Sequence, residues 1–378
     1  MTQYFRERLE EVPLTPGRGK ISALVSVSLG TLSVLAALCF LMPQLLTSPE
    51  LAAVYANHAG VFRTVLDAAI AVGFGFGLLA VVLGTRRAGL IGCLLASSAA
   101  LLGTTKLDLA LPAARSVYAG LDYFVLTLLI LALVFIPLER LFPKYPNQRV
   151  LRGGWVTDMK YFMVSHIGVQ IISFFTIIPI QAYLLWAVDL DFQAAIASQP
   201  YWLQFIEILF AVDIFTYWIH RLMHEVPWLW KFHAVHHSSE QMDWLSSSRL
   251  HVVEILVNRL FGYLPIFVLG FAPAPTFAYL VFISFHAIFI HSNTKLRFPG
   301  LRWVLATPEF HHWHHSSEDE AVDKNYAGFL PIYDVIFGTA HLPDHIATRY
   351  GTRSDTVPEG YLAQFLYPFQ RTTKDTKP

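Results

Sequence analysis

The sequence has little charge for its length. Of its 378 residues, 14% are charged and 54% are hydrophobic, whereas a soluble domain carries about 25% charged residues. So few charges cannot cover a soluble globule of this size, which indicates an integral membrane protein. Acidic and basic residues are equal in number, 27 of each, so the net charge gives no indication of nucleic-acid binding.

Cysteine is nearly absent as well. The two cysteines, Cys39 and Cys93, both lie in apolar runs. This excludes an iron–sulfur cluster, a cysteine-ligated zinc site and a disulfide framework. The chain has no recognisable haem, flavin or Rossmann motif. We also expect no cleavable signal peptide, because the first twenty residues are polar and of mixed charge.

Long apolar runs make up much of the chain. A membrane helix needs about 20 mostly apolar residues, and such runs predict an all-α, polytopic helical membrane protein with about eight spans. The predicted spans cover residues 21–46, 61–83, 89–105, 120–138, 162–188, 201–219, 252–270 and 274–291. The last two form a hairpin through a tight connection and could be re-entrant, and Arg259 lies near the start of the seventh.

The distribution of lysine and arginine predicts the orientation, because cytoplasmic loops are enriched in both residues. Basic residues occur in the N-terminal segment and in the loop at 139–160, whereas the loops at 47–60 and 189–200 have none. The alternation places both termini in the cytoplasm. It also places segments 220–251 and 292–378 there, as a cytoplasmic helical cap.

Histidine is concentrated in this predicted cap. Twelve of the 16 histidines lie between His220 and His315, in a His-x3-His pair and two His-x2-His-His groups. Residues three or four apart share a helix face, so each group can direct its imidazoles to one place. Neutral imidazole is a good ligand for iron, zinc, copper and nickel, and eight imidazoles exceed what one ion accepts. The pattern predicts a site for two metal ions.

These motifs resemble those of the fatty acid hydroxylase / sterol desaturase superfamily of membrane di-iron oxidases. The resemblance rests on "HRLMHEVPWLWKFHAVHHSS" (220–239), "TPEFHHWHHS" (307–316) and "DKNYAGFLPIYDVIFGT" (323–339). The last of these is similar to the alkylglycerol monooxygenase branch and its bacterial relatives. The resemblance covers about 205–340. It divides the chain into an N-terminal membrane region of unknown role (1–150), a catalytic domain (151–345) and a C-terminal tail (346–378).

The resemblance implies that the box histidines bind two iron ions. These are His220, His224, His233, His236, His237, His311, His314 and His315. Zinc could occupy the same ligands in purified protein.

Further ligands are expected outside the boxes. His291 ends the last predicted span, where the family often has a ligand, and His251 matches a histidine of the sterol-type members. His286 precedes His291 by five residues, so the two point about 140° apart on a regular helix. Both could bind only across a π-bulge or a break. His312 lies inside the third box but off its spacing.

Four polar side chains are candidates for supporting the catalytic site. Asp213 falls on one helical stripe with His220 and His224, and a carboxylate inside a span is a functional candidate. Glu225 matches a glutamate of the monooxygenase branch. Asn325, with Asp334, brackets the third box, although both residue types also form turns.

The resemblance implies an oxidoreductase that uses O2 on a C–H bond of a lipid such as a fatty acyl chain, sterol or ether lipid. Electrons would come from a separate cytochrome- or ferredoxin-type donor, or from a pterin. The sequence leaves hydroxylation, desaturation and ether cleavage open. From a different class, a histidine-rich membrane metal transporter is the main alternative, although its ligands should lie between spans at mid-membrane.

Overall fold

The computed structural model describes residues 18–47, 57–103, 120–168, 188–353 and 356–370, together with positions 55, 182 and 184. Across these ranges the regular structure is helical, and the β contacts are two isolated bridges, Pro143 with Thr294 and Ser316 with Tyr350. The all-α prediction is confirmed for this part of the chain.

The α-helices run in chain order as follows: α1 (Lys20–Leu41), α2 (Pro43–Leu46), α3 (Ala59–Val82), α4 (Arg86–Gly103), α5 (Leu121–Leu141), α6 (Trp155–Ile167), α7 (Leu190–Ala197), α8 (Tyr201–Glu225), α9 (Pro227–His237), α10 (Val252–Val257), α11 (Leu264–Leu269), α12 (Pro273–His291), α13 (Pro308–His314), α14 (Ile332–Phe337) and α15 (Tyr361–Leu366). A π-helical turn, Asn258–Gly262, joins α10 to α11. Short 3-10 turns lie at Ser246–Ser248, Pro299–Leu301, Asp319–Ala321 and Tyr367–Phe369.

Six helical segments are long and apolar enough to cross a membrane: α1, α3, α5, α8, the continuous stretch Val252–Leu269 and α12. They confirm a multi-pass membrane protein and match six of the predicted spans. The predicted span 89–105 corresponds to α4, which is helical but is not among the six. The predicted span 162–188 lies largely outside the described residues, so the total of eight stays a prediction.

The chain divides into two units, residues 1–131 with 166–171 and residues 132–165 with 172–378. In the first unit, α1, α3 and α4 pack closely through small residues. A Cβ added to Gly92 would lie 2.0 Å from Ser26 Oγ, and one added to Gly77 would lie 2.6 Å from Cys93 Sγ. Because these glycines lack a Cβ atom, the helix backbones can approach closely, which is the usual way that membrane helices gain packing contacts.

In the second unit, a sharp turn between α8 and α9 follows directly from the sequence. Val226 precedes Pro227, and the proline ring disfavours helical backbone at the residue before it. Val226 accordingly has φ −96° and ψ 113°, while Pro227 begins α9, where its missing N–H costs nothing. The turn places the first histidine box, at the end of α8, against the second box on α9.

Buried charges fix the loop that follows α9. Arg152 donates to Asp158 (2.6 Å) and Asp243 (2.8 Å), and Arg249 Nε donates to Asp158 at 2.5 Å. All four side chains are at most 6% exposed. Because each buried charge faces an opposite one, the cluster avoids the large cost of an unpaired buried ion. It holds segment 238–251 against α6.

Candidate metal centre

Nine histidines meet in two adjoining groups. The larger, group 1, contains His220, His224, His233, His237 and His314. The smaller, group 2, contains His236, His291, His311 and His315. Within each group the candidate ligand atoms all lie within 4.8 Å of one another. The groups abut, since the rings of His237 and His315 stack with centroids 4.4 Å apart.

Each group combines side chains from separate helices. The His220/His224 pair of α8 and the His233/His237 pair of α9 are each spaced by four residues, and so each pair shares a helix face. His236 lies on the adjacent face of α9 and joins group 2. The third box, on α13, divides in the same way: His314 joins group 1, and His311 and His315 join group 2.

Hydrogen bonds fix the tautomer of five of these imidazoles. Their Nδ1 atoms lie 2.6–3.1 Å from oxygen acceptors: the carbonyls of Tyr326, Arg249, Ala287 and Lys324, which can only accept, and the Glu254 carboxylate, which accepts in its ionised form. The donors are His220, His233, His236, His291 and His314. Since a neutral imidazole has one N–H, Nε2 of each ring carries a lone pair and no proton.

These unprotonated Nε2 atoms face one another. Nε2 of His220 lies 3.0 Å from Nε2 of His233, and Nε2 of His236 lies 3.2 Å from Nε2 of His291. Two lone pairs at this distance cannot form a hydrogen bond and repel. A cation between them removes the repulsion and uses both as ligands, so the donor set fits a metal ion in each group.

Protonation cannot supply that positive charge. Burial lowers the pKa of His233, His236 and His237 well below its usual value, and neighbouring imidazoles lower it further. The same causes act on His311, His314 and His315. These rings are therefore neutral near pH 7, the form in which imidazole binds metals. His224 Nε2 is also buried and lacks a hydrogen-bond partner among the described residues, as expected for a ligand.

The segment 323–341 supplies two of the orienting carbonyls. Asp213 accepts from the backbone N–H groups of Phe329 (2.9 Å) and Leu330 (2.7 Å). Asp334 accepts from the N–H groups of Tyr326 and Ala327 at 2.7 and 2.8 Å. The helical stripe that begins at Asp213 thus faces this segment, and the segment in turn places the Tyr326 carbonyl on His220.

Asn325 secures the other side of the same segment. Its backbone is left-handed, with φ +59°, a conformation that asparagine tolerates better than most residues. Its side-chain N–H groups donate to the carbonyls of Phe310 and His341, and its oxygen accepts from His341 N–H. Neighbouring Lys324 can then offer its carbonyl to His314. Asp213 and Asn325 therefore act on the histidine groups indirectly, because they hold the segment whose backbone carbonyls accept from His220 and His314.

Glu254 is a buried carboxylate that forms a hydrogen bond directly with a candidate ligand. Its Oε1 accepts from His233 Nδ1 at 2.8 Å, and the side chain is 3% exposed. Glu254 was not among the site residues predicted from the sequence, although it lies three residues after His251 and within an apolar run. The predicted Glu225 instead accepts from Arg221 at 2.7 Å and is 45% exposed.

Three further histidines lie apart from both groups. His286 Nε2 donates to the Ala306 carbonyl, since α12 is regular and directs His291 elsewhere. His251 caps α10 by accepting from Val253 N–H and donates to Phe365 O. His312 lies 2.9 Å from Lys144 Nζ. The structure thus brings together the nine histidines predicted as box or span-end ligands and separates them from these three.

Comparison with known proteins gives consistent relationships. Residues 205–339 match the model of the fatty acid hydroxylase family. Ornithine lipid hydroxylase OlsE of Rhizobium tropici is 30% identical over 237 residues, which cover 62% of this chain and 71% of that protein. Human alkylglycerol monooxygenase is 38% identical over 129 residues, 34% of this chain and 28% of the human protein.

A plant protein is a further relative. A very-long-chain aldehyde decarbonylase of rice is 33% identical over 140 residues, 34% of this chain and 21% of its own length. The chain therefore spans about a quarter of the human and rice relatives but most of the rhizobial one. No solved structure matches significantly.

Glu254→Gln should weaken metal binding about 10- to 100-fold, the usual effect of removing a partner that orients a ligating histidine. The amide cannot accept the His233 Nδ1–H as strongly as the carboxylate does. Metal affinity measured by chelator competition tests this, with Glu225→Gln as the matched control, which should retain normal affinity. Equal losses in the two variants would remove the special role assigned to Glu254.

His291→Ala should lose metal from group 2, whereas His286→Ala and His251→Ala should keep the full complement. His291 Nε2 faces the group, and the other two imidazoles bond to backbone elsewhere. Metal content per chain after identical purification distinguishes them. Retention of all metal by His291→Ala, together with loss in His286→Ala, would contradict this arrangement of α12.

Proposed function

Because the chain belongs to the fatty acid hydroxylase family, we propose that it is a membrane-bound di-iron oxygenase that hydroxylates a C–H bond of a lipid. The carrying observation is the pair of imidazole groups whose unprotonated Nε2 atoms face one another. The balanced reaction converts R–H, O2, two electrons and two protons into R–OH and water. The chain is an oxidoreductase in this assignment, and a separate donor supplies the electrons.

Two iron ions are the proposed cofactors, one held by each histidine group. Bound iron would supply redox chemistry for the use of O2, which zinc cannot because it has no accessible redox change. Zinc would still bind the same imidazoles in protein purified without care for the metal. The nine histidines of the two groups are the proposed ligands.

The remaining site residues act on the ligands through positioning. Glu254 holds the tautomer and ring orientation of His233. Asp213 and Asn325 hold segment 323–341, whose carbonyls keep the Nδ1–H of His220 and His314 engaged. Glu225 has the lesser part of steadying the end of α8 through Arg221. None of these four side chains is proposed to contact the substrate.

Hydroxylation is preferred over desaturation because the relative aligned over most of its length is named a hydroxylase. The names of the relatives indicate a lipid substrate, and the membrane helices fit one, since a lipid can approach directly from the bilayer. The proposed electron donor is a cytochrome or a ferredoxin; a pterin is the alternative. Metal transport is disfavoured because the ligands lie at helix ends.

We also propose eight spans, with the histidine groups in a cytoplasmic cap. The metal ligands lie near the C-terminal ends of both α8 and α12, and α9 and α13 are outside the six candidate membrane helices. The proposed regions are 1–150 as an N-terminal membrane region, 151–345 as the catalytic domain and 346–378 as the tail. Alternating basic loops support placing both termini on the cytoplasmic side.

Purified protein in lipid nanodiscs, loaded with iron and given a reductant and 18O2, should form a lipid that carries one 18O atom. The monooxygenase reaction places one atom of O2 in the product. Mass spectrometry of the extracted lipids measures the label, with His236→Ala as the inactive control. A product that has lost two hydrogens and carries no label would establish desaturation instead.

A reporter fused after Pro378 should be active only in its cytoplasmic form. An even number of spans together with the basic-loop pattern requires this result. Paired fusions to alkaline phosphatase and to green fluorescent protein give the measurement. Phosphatase activity on the opposite side would show an odd number of spans and refute the proposed orientation of the cap.

A further inference from the structure

A cavity of about 370 Å³ lies beside the metal centre but outside it. Its lining residues are Lys144, Thr294, Lys295, Leu296, Arg297, Glu309, Trp313 and Ile346. Glu309 and Trp313 share one face of α13. His311 and His315 lie two residues further along, about 200° around the helix. One helix therefore separates the cavity from the metal ligands, and the mechanism above does not use this space.

The charge of the cavity wall is unbalanced. It has three cationic side chains, Lys144, Lys295 and Arg297, and one carboxylate, Glu309. The carboxylate is partly neutralised already, because Arg297 Nε lies 3.3 Å from Glu309 Oε1. The other two basic side chains, Lys144 and Lys295, have no anion on the wall. A negatively charged group of the size of a phosphate or carboxylate would complete the site.

Lys144 shows the need for an anion most clearly. Its Nζ donates to Tyr350 OH at 3.0 Å and lies 2.9 Å from His312 Nδ1. Both partners are neutral, and no carboxylate of the described residues lies within 4 Å of this ammonium group. Burial lowers the pKa of Lys144 to about 7, which reflects the cost of holding its charge there. A bound anion would offset that cost.

The segment next to the cavity, residues 295–304, has a composition typical of protein segments that lie at a membrane surface. It follows α12, a candidate membrane helix, and combines basic residues with large apolar ones. Phe298, Leu301, Trp303 and Val304 are 39–57% exposed. Tryptophan together with lysine or arginine at the end of a span is typical of the lipid headgroup level. An anion reaching this cavity would therefore come from a lipid headgroup.

We propose that this cavity binds the phosphate or carboxylate group of an anionic membrane lipid. The cationic side chains hold the anion, and the exposed apolar segment lies among the neighbouring lipids. This assignment is independent of the oxygenase reaction, since it concerns a different face of α13. It can therefore fail or succeed without affecting the proposed function.

Calorimetric titration of the full chain in a neutral detergent tests the site. The probes are dioctanoyl phosphatidylglycerol, dioctanoyl phosphatidylcholine and inorganic phosphate. Phosphatidylglycerol should bind at least about tenfold more tightly than either of the others, which corresponds to about 1.4 kcal/mol. Phosphatidylcholine adds a choline cation that the cationic wall repels, and inorganic phosphate lacks the acyl chains that the exposed apolar segment would contact. Phosphate that binds as tightly as the lipid would overturn the lipid assignment.

Variants that change the charge of the cavity wall in opposite directions distinguish a binding role from a structural one. Arg297→Gln should weaken phosphatidylglycerol binding about tenfold, whereas Glu309→Gln should strengthen it because it removes the only carboxylate of the wall. Arg353→Gln, a surface change outside the cavity, is the control and should bind normally. Lys144→Met, if it folds, should weaken binding as Arg297→Gln does. Equal binding of both lipids, or weaker binding in both Arg297→Gln and Glu309→Gln, would overturn the proposal.

Discussion

The rest of the second unit depends on one constraint: unprotonated Nε2 atoms of its histidines face one another at close range. His236 and His291 each donate Nδ1–H to a carbonyl, and their Nε2 atoms are then left 3.2 Å apart with no proton between them. Burial keeps the imidazoles of the second and third boxes neutral, so a bound cation is the available source of attraction between the rings. Metal binding and folding of this unit should therefore be coupled, because the Nε2 lone pairs of the histidines repel one another until a metal ion binds between them.

Contacts between the surrounding helices and loops hold the histidine ligands in position. The Val226–Pro227 turn brings two boxes together, and the Arg152–Asp158 cluster fixes the loop whose Arg249 carbonyl orients His236. Asp213 holds segment 323–341 to α8 through two backbone N–H groups. Most of the orienting acceptors are backbone carbonyls, so their identity depends on the path of the chain and hardly on residue type. Some of the metal ligands lie near the C-terminal ends of two candidate membrane helices, α8 and α12.

Much of this could be predicted from the sequence, because periodicity and spacing are local properties. The family resemblance is confirmed by the comparisons, and the multi-pass helical architecture by the six apolar helices. Helix geometry predicted that His286 and His291 point in different directions, and α12 directs the two rings apart. The partner of His233 could not be found this way. Glu254 and Glu225 look alike in sequence, and only the tertiary approach of α10 to α9 places one of them on a ligand. The division of α9 and α13 between two metal groups likewise depends on how the helices pack.

Iron stoichiometry tests the central claim most directly. Protein produced in iron-supplemented cells and purified without oxygen should contain two iron atoms per chain, measured by plasma mass spectrometry against amino-acid analysis. Two ions are expected because the histidines form two separate groups, each with enough nitrogen donors for one ion. A reproducible value of one metal atom per chain, counting all metals together, would contradict the two-group account.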